Sequence, residues 1–191
     1  MRLRLVLASQ SPRRRQLLEE AGFRFRTVTP DVDESYPADL PMDEIAEYIA
    51  RAKAAAARPL AEADEIIVAA DSIVRVAGQI FGKPADEAEA IRMLRMLSGR
   101  SHLVQTGVCL LSGTRQVSFT DTTRVHMDPL SDSEIRYYVS NYHPFDKAGA
   151  YGIQEWIGHC KVSRIEGSYL NVMGLPVHRV YDVLCKLKMR N

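Results

Sequence analysis

The sequence predicts an α/β protein: a curved mixed β-sheet flanked by helices and divided into two lobes. Three observations predict it. Short buried runs of β-branched residues alternate with helical apolar stripes, two long segments alternate apolar with polar residues, and helix-start and turn signals punctuate the chain. A length of 191 residues suits a single domain over residues 1–191, and no Pro-, Gly- or Ser-rich linker separates the two lobes.

Arg4–Ala8 reads as a buried first strand. Ser11-Pro12 opens a helix to about Ala21, because Ser caps well and Pro suits the first helical position, and Gly22 suits the exit. Phe23–Val28 reads as a second short strand. Asp43–Arg58 is a helix with Ile45, Ile49, Ala52 and Ala56 as its core stripe. Ile66–Ala70 is a buried run ending at Asp71, and Ile73–Val76 and Gln79–Phe81 around Ala77-Gly78 continue it into a hairpin.

Asp86–Leu97 is a helix with acidic residues at its start, Arg92 and Arg95 near its end and Gly99 beyond, an order that complements the helix dipole. His102–Leu111 and Gln116–Met127 read as two long antiparallel strands joined near Ser112-Gly113. In the second, Val117, Phe119, Thr123, Val125 and Met127 alternate with polar residues. Ser131-Asp132-Ser133-Glu134 is a capping box that opens a helix to about Ser140, and Val177, Val180, Leu184 and Leu187 form the stripe of a last helix.

Composition excludes several classes. Lys and Arg number 25 against 24 Asp and Glu, which argues against a nucleic-acid binder that works through bulk charge. The longest uncharged stretch, Ser101 to Thr114, is too short to span a bilayer, so no membrane partner is expected. The first apolar run stops at Ala8 and Arg-rich sequence follows, unlike a secretory signal. Cys109, Cys160 and Cys185 lack C-x-x-C spacing, which fits a reducing cytoplasm with neither disulfides nor structural zinc.

Three constellations could carry chemistry. Ser9-Gln10-Ser11-Pro12-Arg13-Arg14-Arg15 follows the first strand into a helix N-terminus, where free N–H groups and the dipole favour anions. Ser9 and Ser11 add hydroxyls, and an Arg can fork onto phosphate oxygens. A plain helix start with surface arginines is the alternative. The second set is Asp33-Glu34, Lys53, Asp71 and Lys83. Asp71 closes a buried run where open α/β sheets place ligands, and with Glu34 it could ligate a hard cation such as Mg²⁺ while the lysines neutralise phosphate. A turn cap and solvated lysines are the alternative there. In the third, Asp146-Lys147-Ala148-Gly149-Ala150-Tyr151-Gly152-Ile153-Gln154, two glycines permit close backbone approach, and Gln154 could read the edge of a base; the alternative is a Gly-rich turn.

Other motifs fail. Gly82-Lys83-Pro84 is no P-loop, because only three residues separate Gly78 from Gly82 and Pro84 stands where a metal-binding hydroxyl belongs. Histidines 102, 126, 143, 159 and 178 lack ligand spacing, and neither Ser168 nor Cys160 has a nucleophile's context.

Together, Leu7-Ala8-Ser9-Gln10-Ser11-Pro12-Arg13-Arg14, Ala69-Ala70-Asp71-Ser72, Gly82-Lys83-Pro84, Met96-Leu97-Ser98-Gly99 and the run from Asp146 to Gln154 resemble the Maf family of nucleoside triphosphate pyrophosphatases. Gly167-Ser168-Tyr169 and Asn171-Val172-Met173-Gly174-Leu175-Pro176 extend the resemblance over almost the whole chain. The run ending at Gln154 is similar to the dTTP/UTP branch.

The resemblance implies a two-lobed Maf/ITPase-like fold around a central cleft. It also implies hydrolysis between the α- and β-phosphates, a divalent cation (Mg²⁺ or Mn²⁺), a cytoplasmic location and a homodimer. It makes Asp71 the proton acceptor and Arg13, Ser72 and Gln154 the specificity positions. On this reading Glu34 and Asp71 hold the metal and Ser9, Arg13, Lys53 and Lys83 bind the triphosphate, with Arg14 ranked lower. Gln154 meets the O4/N3 edge of uracil or thymine. Ser72 stands where Thr is commoner and Gln10 where Gly is common. Two other readings stay open: the 7-methyl-GTP activity of the sister branch, and a non-catalytic nucleotide-binding regulator of cell division.

Overall fold

In the computed structural model, which describes residues 3–188, the fully buried strand β1 (Leu5–Ala8) leads into helix α1 (Pro12–Glu20). Ser11 is the N-cap of α1 and accepts the Arg14 N–H, and Pro12 takes the first position, as the sequence predicts. Gly22 follows the helix at φ +77°, a left-handed conformation that glycine adopts without strain. Strand β2 (Phe25–Val28) is shorter than the expected Phe23–Val28.

Helix α2 (Ile45–Ala57) starts two residues later than Asp43, and Glu44 at its N-cap makes no side-chain capping bond. Its buried face is also not the expected one. Ile45 and Ile49 are buried, but Ala46, Ala50, Ala54 and Ala57 complete the face, while Ala52 and Ala56 are half-buried. A run of alanines gives hydropathy little to orient by, so the stripe could be read one position off.

Strand β3 (Ile66–Val76) carries Asp71 and Ser72 at its middle and turns through Ala77-Gly78 into the antiparallel β4 (Gln79–Phe81). Asp71 closes the buried run Ile66–Ala70, and the strand continues past it into the hairpin, as the sequence suggests. What ends near it is the parallel pairing of β3 with β1, whose last partners are Ala8 and Ala69. Helix α3 (Glu87–Leu97) is capped by Asp86, which accepts the Glu89 N–H at 2.8 Å. The long strands β5 (Ser101–Ser112) and β6 (Arg115–Met127) are neighbours in the sheet.

The expected alternation in β6 holds for Thr123, Val125 and Met127 but not for Val117 and Phe119, which are half-buried like the residues around them. Both faces of that stretch are covered. Ser118 and Thr120 donate to Glu47 of α2, while the Arg179 guanidinium lies 4.1 Å from the Phe119 ring centre on the other side.

Helix α4 (Asp132–Tyr142) has the predicted capping box at Ser131 and Glu134 but runs past Ser140 to a left-handed His143 at φ +45°. Beyond it come α5 (Trp156–Lys161), β7 (Val162–Glu166), α6 (Tyr169–Met173) and α7 (Val177–Lys188). The first three have no counterpart in the sequence reading, since five or six residues are too few to show a period. In α7 the predicted stripe of Val177, Val180, Leu184 and Leu187 is buried, each side chain worth about 1.5–3 kcal/mol.

Among the described residues the sheet has seven strands in the order β2-β1-β3-β5-β6-β7, with β4 on β3. β1 is parallel to β2 and β3, whereas β3–β4 and β6–β7 are antiparallel, so the sheet is mixed and the fold is α/β, as predicted. The chain divides into two compact units. The first comprises the chain up to Asp71, Thr106–Asp121 and the chain from Gly174 onward; the second comprises Ser72–Gln105 and Thr122–Met173.

Small side chains fill the first unit's core beneath α2: Ala8, Ala50, Ala54, Ala57, Ala69 and Cys109. Gly107 of β5 lets that helix approach so closely that an added Cβ would lie 2.1 Å from the Ala46 carbonyl carbon. The second unit has its own core, which includes Phe81, Leu94, Leu97, Ile135, Tyr138 and Ile157. No helix among the described residues is long and apolar enough to cross a membrane.

Candidate functional site

The carboxyl end of β1 and the start of α1 form a polar turn in the first unit. The Ser11 N–H donates to Ser9 Oγ at 3.1 Å, and Arg14 Nη1 donates to the same hydroxyl at 3.4 Å. Arg14 is buried, with its Nε donating to the Gly174 carbonyl at 2.8 Å. Burial pushes its pKa below the usual arginine range, and the nearby charges of Asp71 and Glu34 oppose that fall. Arg13 is half-buried in the same first helical turn.

Lys53, on α2, joins the two candidate carboxylates. Its Nζ lies 2.6 Å from Asp71 Oδ1 and 2.8 Å from Glu34 Oε1. The Lys53 and Asp71 side chains are only 12% and 13% exposed, whereas Glu34 is 51% exposed. Burying an ion pair seldom adds stability over an apolar pair, so a pair kept here points to chemistry. The first unit thus brings together Ser9, Glu34, Lys53 and Asp71 with the arginine pair. Arg14, ranked below Arg13 from sequence, is buried and donates to the Gly174 carbonyl and to Ser9 Oγ.

The divalent cation that the sequence resemblance implies needs hard oxygen donors. Mg²⁺ commonly takes one or two carboxylates and completes its shell with water and substrate phosphate. Glu34 and Asp71 already direct oxygens at one cationic nitrogen, so this donor pair fits such an ion. No group of three or more His, Cys, Asp and Glu that could hold a metal gathers among the described residues. All three cysteines are free thiols; burial pushes Cys109 up to about 11.

The other predicted site residues belong to the second unit. Ser72 is half-buried on β3, and Lys83 is exposed just after β4. Gln154 is half-buried, yet its Oε1 is buried with no hydrogen-bond partner among the described residues. Such an atom normally finds a donor, and leaving one unpaired costs about 1–3 kcal/mol.

Gln154 ends a segment held by buried polar groups. Gly149 sits at φ +71°, where an added Cβ would come within 2.9 Å of Val74. The Gly152 N–H donates to the Tyr138 hydroxyl at 2.9 Å, and that hydroxyl donates to Glu155 Oε2. Lys147 Nζ bridges Glu155 Oε1 at 3.0 Å and Asp146 Oδ1 at 2.8 Å. Burial and the Glu155 carboxylate hold the Tyr138 pKa well above the ordinary tyrosine value, so it stays a donor. Sequence reading missed Tyr138 and Glu155. The available signal was a lysine inside an otherwise small and apolar run, which needs a buried partner.

Behind the segment, the Tyr151 hydroxyl lies 2.7 Å from His102 Nε2, with the rings edge to face. Burial pushes His102 down to about 4. An unfolded histidine titrates near 6.5, so between about 6.5 and about 4 the unfolded chain binds a proton that the folded chain does not. Unfolding free energy should therefore fall on acidification through that window by up to about 1.4 kcal/mol per pH unit. Below it Glu65 takes over. The Arg26 hydrogen bonds hold its carboxyl at about 2, so its contribution is lost as pH falls from about 4.3 towards that value. Urea melts of the wild type and of His102→Gln at pH 7, 5.5 and 4.5 check this, and an unchanged slope in the variant would refute it.

An α/β protein whose first βα turn is built for an anion, beside a carboxylate pair that shares a lysine, is of the phosphate-handling kind. Residues 4–187 match the Maf family, described as Maf-like protein, and the chain belongs to that family. A relative from Bacteroides thetaiotaomicron is 52% identical over 184 residues, 96% of this chain and 95% of that one. One from Phocaeicola vulgatus is 51% identical over 185 residues, 96% of each chain, and one from Porphyromonas gingivalis is 48% identical over 184 residues, 95% of this chain and 92% of that one. Each is named a dTTP/UTP pyrophosphatase. Among solved structures, the Staphylococcus aureus Ham1 protein aligns with a TM-score of 0.46 at 19% identity, over 65% of this chain and 71% of that chain.

Proposed function

We propose that this chain is a pyrophosphatase that hydrolyses dTTP and UTP to the nucleoside monophosphate and pyrophosphate. The observation that carries the reaction is the Lys53 bridge, an ammonium within 3 Å of two carboxylates beside a helix N-terminus. The substrates follow the names of relatives about half identical over nearly the whole chain.

In this reading a water oxygen attacks the α-phosphorus, the bond from that phosphorus to the bridging oxygen breaks, and pyrophosphate leaves with the electron pair. Asp71 takes the water's proton. Ser9, Arg13, Arg14, Lys53 and Lys83 bind and neutralise the triphosphate, acting by position and charge. Mg²⁺ or Mn²⁺, held by Glu34 and Asp71, would supply further neutralisation of the phosphate oxygens. Ser72, the residue after Asp71 on β3, keeps a hydroxyl for the nucleoside. A cytoplasmic setting, where nucleotides circulate and free thiols persist, belongs to the same proposal.

Gln154 reads the base. Uracil and thymine present a donor N3–H beside the acceptor O4, which an amide matches with its oxygen and its NH₂. The buried, unpartnered Gln154 Oε1 lacks a donor of that kind. Cytosine has the same size but reverses both groups, so UTP over CTP is the sharpest comparison.

Pyrophosphate release from a panel of triphosphates tests the proposal. UTP and dTTP should lead, CTP should trail, and a best rate on 7-methyl-GTP, or no release from any, would overturn it. Gln154→Ala should lower the UTP-to-CTP ratio of kcat/KM by about a hundredfold, because a site left without its polar reader stops rejecting the mismatched edge. Equal losses on both substrates would make Gln154 structural.

A further inference from the structure

We propose that Tyr138 and Glu155 are positioning residues for base selection, fixing the Gln154 amide from behind through the backbone of Gly152. This deepens the function proposed above and rests on its assignment of Gln154 as the base reader.

Gly152 is the joint. A Cβ placed there would lie 3.0 Å from Gln154 Nε2, 2.8 Å from Glu155 Cδ and 3.0 Å from Glu155 Oε2. The amide and the carboxylate thus both pack against the bare Cα of Gly152, the carboxylate turned towards the buried Tyr138. The Gly152 N–H is fixed by the Tyr138 hydroxyl at 2.9 Å, and the same hydroxyl donates to Glu155. Lys147, 7% exposed, closes the network from the other carboxylate oxygen. The Glu155 N–H also donates to the Gly152 carbonyl at 3.1 Å, so both ends of the turn that displays Gln154 are tied.

The Tyr138 hydroxyl is fully paired with groups of this chain, as donor to Glu155 and acceptor from Gly152. Both of its hydrogen-bonding roles are used, which separates it from Gln154 with its unpartnered oxygen. Removing the hydroxyl strands a buried N–H and a half-buried carboxylate oxygen at once, and the turn must move to rehydrate them. A reader held less firmly in place distinguishes the two donor patterns less well.

The test is steady-state kinetics on UTP and CTP for the wild type, Tyr138→Phe, Gln154→Ala and the double variant, with melting curves for each. Tyr138→Phe should lower the UTP-to-CTP ratio of kcat/KM by about tenfold, with the loss on UTP carried by KM rather than kcat. The double variant should discriminate no worse than Gln154→Ala alone, since both act on one reader. If Gln154→Ala lowers the ratio while Tyr138→Phe leaves it intact, or slows both substrates equally, the positioning role is wrong and the base reader stands. If Gln154→Ala leaves the ratio unchanged, the reader itself falls and this inference with it. Should Tyr138→Phe fail to fold, Glu155→Gln serves instead: it keeps an oxygen for Tyr138, loses the charge facing Lys147, and should lower the ratio in the same direction.

Discussion

Asp71→Asn should lower kcat on UTP by about a thousandfold or more while the protein melts close to the wild-type temperature. The two expectations follow from the same contacts. Asparagine has the shape of aspartate and keeps an oxygen for Lys53, which lies 2.6 Å from Asp71 Oδ1 and retains Glu34 at 2.8 Å. The lysine is therefore not left as a lone buried charge, and the stability change should stay within about 1 kcal/mol. Chemistry has no such substitute. The neutral amide cannot accept a proton from water, and it is a poorer oxygen donor to a hard cation. The check is pyrophosphate release from UTP with Mg²⁺ at saturation, alongside a thermal melt. Retention of more than about a tenth of the wild-type rate would remove Asp71 from the reaction.

How far the sequence could be read depended on whether a signal was local. Ser11-Pro12 and Ser131 to Glu134 set their helix starts because a cap works within one turn, and both appear as expected. The α7 stripe was legible because four apolar residues recur among polar ones. In α2 the alanine run hid which face is buried, and with it the fact that Lys53 flanks that face. Asp71 stood out because it closes the buried run Ile66–Ala70; β3 runs on to Val76, and the parallel pairing with β1 stops short of Asp71. Glu34, Lys53 and Asp71 are far apart in the chain, and only the fold joins them through one ammonium. The Tyr138–Glu155 contact was invisible for the same reason. A buried hydroxyl on one helix announces nothing about the carboxylate it will meet.

Gly107→Ala should be the most damaging single methyl group in the first unit. The glycine has no left-handed φ to protect, so the whole effect is steric. Its added Cβ would stand 2.1 Å from the Ala46 carbonyl carbon and 2.2 Å from the Glu47 nitrogen, both backbone atoms that no rotamer change can move. Ordinary contact needs the start of α2 to lift by more than about 1 Å, and overpacking of that kind costs about 1–3 kcal/mol or more. The lifted helix carries Glu47, which accepts from Ser118 and Thr120, and Lys53, which holds Asp71 and Glu34. Stability and turnover should therefore fall together, the melting temperature by several degrees and kcat on UTP by about a hundredfold in the protein that still folds. Gly82→Ala is the control, because a Cβ there meets nothing within 4 Å. If Gly107→Ala melts and turns over like Gly82→Ala, the close approach of α2 to β5 is not what sets the position of Lys53.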